Sequence, residues 1–354
     1  MMLEAAKKIM KNAQISKRKS HWLLFLIQMT FFFVCMMPGN SFLLAQAVSI
    51  PNAQGQIWKQ YDVTPYTSRF PQMSHPEAAI TDWILMETGF EIWHSEVPAM
   101  LNVTRNSVNV YHTPQVQVLV ESVIQRFTNV DPMGHQFRVR VFTVNTPYWR
   151  QKIGSRMTPI PSFSMGSQAW TVSPEDLQAI TEILEKSPGF VSHAAEAKVV
   201  PNGQRLELNW VRTRRYTRNF FTSPGSGKSP EAEEVLLDDG FSFELMPLVT
   251  VDGALVDAQI KFQVNHLDRF LPMVVTPPGA LSRSTEKIEV PLVGQFRFRE
   301  RYRWNTENAL LVSPGLTPPL TSTGEGVSPG LLNTTQRVET LILIEYRREH
   351  NSSY

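Results

Sequence analysis

The chain has 354 residues, 42% hydrophobic and 19% charged, with 34 Lys+Arg against 32 Asp+Glu. Six of those bases but only one acid, Glu4, fall before residue 48, so the remainder carries 28 bases against 31 acids, and the basic whole-chain balance is no argument for nucleic-acid binding. The single cysteine, Cys35, lies in the same stretch, leaving the rest of the chain without disulfides or a thiol nucleophile, and no second long apolar run offers a spanning helix, although membrane-crossing strands escape that test.

Lys7, Lys8, Lys11, Lys17, Arg18 and Lys19 precede an apolar run from Trp22 to Met37, which Pro38, Gly39 and Asn40 break. Ala45-Gln46-Ala47 then places small residues where a signal peptidase accepts them, which predicts a signal peptide over 1–47 and therefore export. The same run also meets the lower length limit for an uncleaved anchor, so both fates of the leader stay open. Residues 48–75, rich in Pro, Gln and Ser, read as an extended arm or linker.

Ala78, Ile80, Trp83, Ile84 and Met86 predict a helix over 77–88, followed by strands at 90–93, 101–104 and 107–111. Thr113 is a candidate N-cap with Pro114 at the first helical position, and Val116, Leu119, Val120, Val123, Ile124 and Phe127 recur at helical spacing. The apolar stripe of this helix must cover a sheet, which makes 76–130 a small α+β module.

From Phe137 the period changes to two, predicting a half-buried strand over 137–141, then a loop through 145–172. Ser173-Pro174-Glu175-Asp176 starts a second helix with Leu177, Ile180, Ile183 and Leu184 inward, stopped by Pro188-Gly189. Beyond it the chain reads as nearly all β. Asn202-Gly203 between 197–200 and 205–208, and Asp252-Gly253 between 241–247 and 256–264, are hairpin signals, and further strands are expected at 288–292, 296–304, 309–312 and 338–346. Two Pro/Gly/Ser-rich stretches, 222–234 and 313–336, read as long loops.

This order of elements resembles the secretin family, the ring-forming outer-membrane channels of bacterial secretion and pilus systems. Four colinear segments carry the likeness. They are Asn106–Val116 leading into a helix; Pro174–Leu208 with its Asn202-Gly203-Gln204; Gly240-Phe-Ser-Phe-Glu-Leu-Met-Pro247 with Asp252-Gly253; and the closing strand Arg337–Glu345. The chain departs from the family where Val290-Pro-Leu-Val-Gly294 runs straight into Gln295-Phe-Arg-Phe, where the last strand reads Ile344-Glu-Tyr-Arg, and where a Gly-rich gate insertion is missing. The resemblance implies an α+β protein with a ring-building module at 76–130, a β-rich secretin-like domain with antiparallel hairpins at 133–348 and a tail at 349–354. It further implies a homo-oligomer in the periplasm or outer membrane, with secretion-system or envelope partners, lipid contact, no nucleic acid, no cofactor and no enzymatic activity. Two rivals are a structural envelope protein that keeps the fold without a pore and a periplasmic hydrolase.

Catalytic and ligand motifs are few. Gly225-Ser-Gly-Lys-Ser229 lacks the first glycine of a phosphate loop and is followed by Pro230; the histidines after the leader never fall at metal-ligand spacing; Ser164-Met165-Gly166-Ser167 lacks a nucleophile-elbow frame. Asp238-Asp239 and the acids at 231–234 read as solvated turns. The most unusual stretch is Phe296–Trp304, where a strand sets Phe296, Phe298, Tyr302 and Trp304 on one face and Arg297, Arg299, Arg301 and Arg303 on the other. That row is either a solvated face or a contact for another subunit or an anionic surface. With Asn202, Gly203, Pro247, Asp252 and Gly253, these four arginines are the candidate assembly residues.

Overall fold

The computed structural model describes residues 52, 54–129, 134–221, 230–277, 285–320 and 337–347. The expected leader, the Gly225–Ser229 stretch and the tail lie outside them. The fold is α+β, with long antiparallel strands and a few helices.

The first layer is a three-stranded antiparallel sheet in the order β1 (Ile57–Asp62), β3 (Ser107–His112), β2 (Met100–Val103). Packed on it are the one-turn α1 (Thr64–Thr67), α2 (Ala78–Thr88) and α3 (Pro114–Thr128). Val63, Tyr66, Trp83, Val108, Val110, Val123 and Phe127 form its core. The expected arm over 48–75 is thus corrected: β1 pairs with β3 along its whole length, and Tyr66 is buried against Phe127. None of the six residues of β1 is fully buried, so the strand has no apolar face whose period could be read. The strand expected at 90–93 is also corrected to a single 3₁₀ turn over Glu91–Trp93, held by Trp93 Nε1 donating to Thr88 Oγ1 at 2.8 Å.

The second layer is a four-stranded sheet in the order β11 (Glu286–Asn305), β10 (Leu255–Val275), β9 (Glu231–Val249), β8 (Leu206–Phe221). Asp252-Gly253 makes the β9–β10 turn as expected, with Gly253 at φ +69°. Phe241, Phe243, Leu245, Ile260, Phe262 and Val264 face one side and are buried, while Met246 and Leu248 on the other side enter the core of the first layer. Alternation therefore buries both faces of the centre of this sheet, a consequence of period two.

The third layer is a six-stranded sheet: β5 (Met157–Ile160), β6 (Gln168–Val172), β12 (Ala309–Thr317), β13 (Val338–Arg347), β4 (His135–Val144), β7 (Val191–Val200). Val139, Val141, Val312, Ile342 and Ile344 meet the four-stranded sheet, and the opposite face is covered by α4 (Trp149–Ile153) and α5 (Pro174–Glu185). Ser173 caps α5, its Oγ accepting from Asp176 N.

Three further expectations are corrected. The loop at 145–172 holds α4, β5 and β6. The strands expected at 288–292 and 296–304 are one continuous β11, and 231–234 and 313–317 belong to strands. Asn202-Gly203 is not a hairpin turn: β7 pairs with β4 and β8 with β9, so these residues carry the chain from the third layer to the second.

Candidate functional site

The nine candidate residues occupy separate places. Asn202, Gly203 and Pro247 meet at the corner between sheets. The Asn202 amide donates to Arg126 O and Val249 O at 2.8 and 3.0 Å and accepts from Val249 N at 2.8 Å, while Gly203 N donates to Pro247 O at 2.8 Å. Gly203 sits at φ +73°, and a Cβ there would lie 2.2 Å from the Phe127 ring. The corner therefore ties the C-terminus of α3 to β9, locking the first layer onto the second. Asp252 and Gly253 remain at an exposed turn.

The arginine row divides in two. Arg301 and Arg303 lie under the first layer and converge on Asp257, which is fully buried on β10: Arg301 Nε donates to Asp257 Oδ1 at 2.8 Å and Arg303 Nη2 to Oδ2 at 2.7 Å, with Arg126 Nη1 at 3.5 Å. Glu87, at the end of α2, pairs with both Arg301 and Arg303, and Arg301 also stacks over Trp83 at 5.3 Å. Burial works to raise the Asp257 carboxyl, but the hydrogen bonds and charges of Arg301 and Arg303 outweigh it and hold the pKa below the usual carboxylate value. For these two residues the expectation of a solvated or intermolecular face is corrected to a clamp within the chain. Arg297 and Arg299 are exposed.

The long strands supply the remaining surface. β9 and β10 stop pairing at Gly240 and Asn265, so the sheet forks into a β8–β9 hairpin and a β10–β11 hairpin. At the fork Gly240 adopts φ +144°, where a Cβ would strike Trp210 O, and buried Asp239 accepts from Leu267 N at 3.0 Å. Beyond it the hairpins run on for about nine residues, some 30 Å of strand. They expose Phe221, Leu236, Leu271, Met273, Val274, Val290 and Leu292, far more apolar surface than isolated side chains account for. Tyr216 meets Phe270 at 5.5 Å and Thr217 N donates to Glu289 at 3.4 Å, which ties the two hairpins to each other. Nearer the body, β8 and β11 are the edges of the sheet, each paired on one side only.

No family model matches the chain, and no curated protein matches it. Three solved secretins are similar to it. The type IV competence pilus secretin PilQ of V. cholerae is 11% identical, with 82% of this chain and 77% of that one covered at a TM-score of 0.25. The InvG secretin domain β-barrel of the Salmonella SPI-1 injectisome is 10% identical over 76% and 81% of the two chains, TM-score 0.25. The type II secretion system secretin GspD of E. coli K12 is 12% identical over 86% and 65%, TM-score 0.24.

The strongest polar features are structural. Glu339 is buried and receives Arg150, Trp149 Nε1 at 3.1 Å and Ser313 Oγ at 2.7 Å, which pins α4 to β13. Glu300 accepts the backbone N–H groups of Phe163 and Ser164, holding the β5–β6 loop so that Phe163 and Met165 stand in solvent. Burial pushes Tyr302, bonded to Ser162 at 2.7 Å, up to about 12. Among the described residues no three His, Cys, Asp or Glu side chains are grouped as metal ligands are. Sequence reasoning missed Asp257, Glu87 and Arg126, because an acid at an outward position of a strand reads as solvated until the layer that covers it is placed. The one signal was the density of arginine opposite it on β11.

Proposed function

We propose that this chain is the subunit of an exported, secretin-like ring in the cell envelope, acting by assembly and not by catalysis. The observation that carries the reading is the four-stranded sheet: β8 and β11 are its edges near the body, each paired on one side, and both hairpins run past the body with apolar side chains exposed. Long open edges invite pairing with another chain, and closure of a ring removes them. The colinear motifs of the sequence support the same reading, with Val256–Val264 of β10 as wall. Phe137–Val141 and Val338–Tyr346 lie inside the six-stranded sheet and serve as body.

Membranes from cells expressing the full chain, extracted in mild detergent and run on SDS gels with and without heating, test this. Heat- and SDS-resistant multimers, seen as rings by electron microscopy, are the expected outcome. A monomer at micromolar concentration overturns it. A second reading, a structural ring without a gated pore, is favoured by the missing Gly-rich gate insertion in the sequence. Rings without a lumen select that reading.

A further inference from the structure

Beyond the fork the two hairpins turn toward each other. In a flat four-stranded sheet β8 and β11 stand three strand spacings apart, about 14 Å. Here they meet: Thr217 N on β8 donates to Glu289 Oε2 on β11 at 3.4 Å, and the ring of Tyr216 lies 5.5 Å from that of Phe270 on β10. Local features of the strands produce the curl. β9 and β10 part at Gly240 and Asn265, which frees each hairpin from the other's ladder. A bulge in β8 between Thr217 and Asn219 and another in β10 between Leu267 and Arg269 stand on the two sides of the gap, and a bulge bends its strand and increases the twist. Phe270, Pro272, Glu289 and Pro291 share one face of the β10–β11 hairpin, since Phe270 pairs with Pro291 and Pro272 with Glu289. On that face Phe270 and Glu289 are half-buried against β8, whereas Leu271, Met273, Val290 and Leu292 on the opposite face are exposed.

We propose that these contacts are a latch: the free subunit covers the outer stretches of its own two edge strands with each other, and the hairpins must spring apart before the subunit enters a ring. This rests on the ring reading above and adds the step that precedes assembly. An open strand edge is a template for unintended pairing, and an exported subunit meets other chains before it reaches its place. Nearer the body the same edge of β8 has a second guard, Lys198 of β7, whose Nζ donates to Glu207 O at 3.2 Å. The closure is built to be reversible. Among the described residues no ladder joins β8 to β11, so the latch consists of one ring pair and one hydrogen bond to a carboxylate standing where a neighbouring strand would offer a carbonyl. A ladder of backbone bonds would be permanent, whereas two side-chain contacts yield to a competitor that brings more of them.

The test uses the full chain with Cys35→Ser as background, made in a cell-free reaction without lipid and then given vesicles of phosphatidylethanolamine and phosphatidylglycerol. T217C/E289C is first treated with a short, reductant-cleavable bismaleimide that bridges neighbouring thiols. Mass spectrometry of the monomer band is expected to find the two introduced thiols joined within one chain. SDS-resistant multimers are expected to fall at least about tenfold, because a bridged subunit has no open population to draw on, and to return on reduction. T158C/T171C, bridged between directly paired residues of β5 and β6, is expected to assemble as the unbridged chain does. Independently, Tyr216→Ser with circular dichroism intact is expected to hasten assembly about fivefold, the worth of one aromatic pair. No intrachain bridge in T217C/E289C, bridged subunits entering multimers at the unbridged rate, or Y216S assembling no faster overturns the latch. An unbridged chain that never assembles overturns the ring reading itself, while the bridge in the monomer still decides whether the hairpins are closed on each other.

Discussion

Removing the carboxylate of Asp257 is the sharpest probe of how the layers are held. The side chain is fully buried and receives Arg301, Arg303 and Arg126, so Asp257→Ala leaves three guanidinium groups at the seam with only Glu87 nearby. Breaking a buried ion pair by deleting one partner costs about 3–5 kcal/mol, because the stranded charge keeps its desolvation penalty. Trp83 adds to this, since Arg301 and Arg126 stack on it at 5.3 and 5.9 Å and lose their orientation with the acid. Urea unfolding followed by tryptophan fluorescence reads the change as a shift in midpoint at constant slope. Glu87→Gln is the control, because Glu87 is partly solvated and its loss leaves Asp257 in place; about 1 kcal/mol is expected. A D257A loss below about 1 kcal/mol, or one equal to that of E87Q, refutes the claim that this cluster joins the layers. The pH dependence follows the same group. Its folded pKa is depressed, so its stabilisation is present above the unfolded value near 4 and is lost as pH falls through the lower folded value. In D257A that acid-side loss is expected to shrink.

Gly203→Ala is expected to destabilise by more than 2 kcal/mol, since its Cβ meets the Phe127 ring at 2.2 Å and the backbone lies at φ +73°; thermal melting measures it. Glu339→Ala strands Arg150 beside Trp149 and is expected to cost about 3 kcal/mol in the same assay, against less than about 1 kcal/mol for Glu196→Ala, in a half-buried surface pair with Lys198. Phe243→Ala, deep between the two larger sheets, is expected to cost about 3–5 kcal/mol by urea unfolding. Leu292→Gln, in the exposed stretch of β11, is expected to leave unfolding within about 0.5 kcal/mol while reducing detergent binding or assembly; a large loss of stability there places the residue in a core instead.

Local signals read well wherever the physics is local. The period of 3.6 from Val116 to Phe127 and the Ser173 cap marked two helices within a residue or two of their ends. Period two from Phe241 and from Val256 marked strands whose faces were right, and Asp252-Gly253 turned between them as the dipeptide predicts. The aromatic and basic faces of 296–304 were also right, because alternation is a property of the strand alone.

What sequence left undecided was which strand neighbours which, because pairing partners here are separated by tens to hundreds of residues. Asn202-Gly203 has the chemistry of a hairpin, yet the strands on its two sides pair elsewhere, and the turn became a corner between layers. β1 showed no period because neither of its faces is fully buried, and Asp257 gave no signal because its cover comes from α2 and α3. The composition, the leader and the alternation were written in the chain by itself. Only the tertiary structure decided that half of the arginine row closes on Asp257 while Arg297 and Arg299 stay open at an edge, since burial depends on what another part of the chain lays on top.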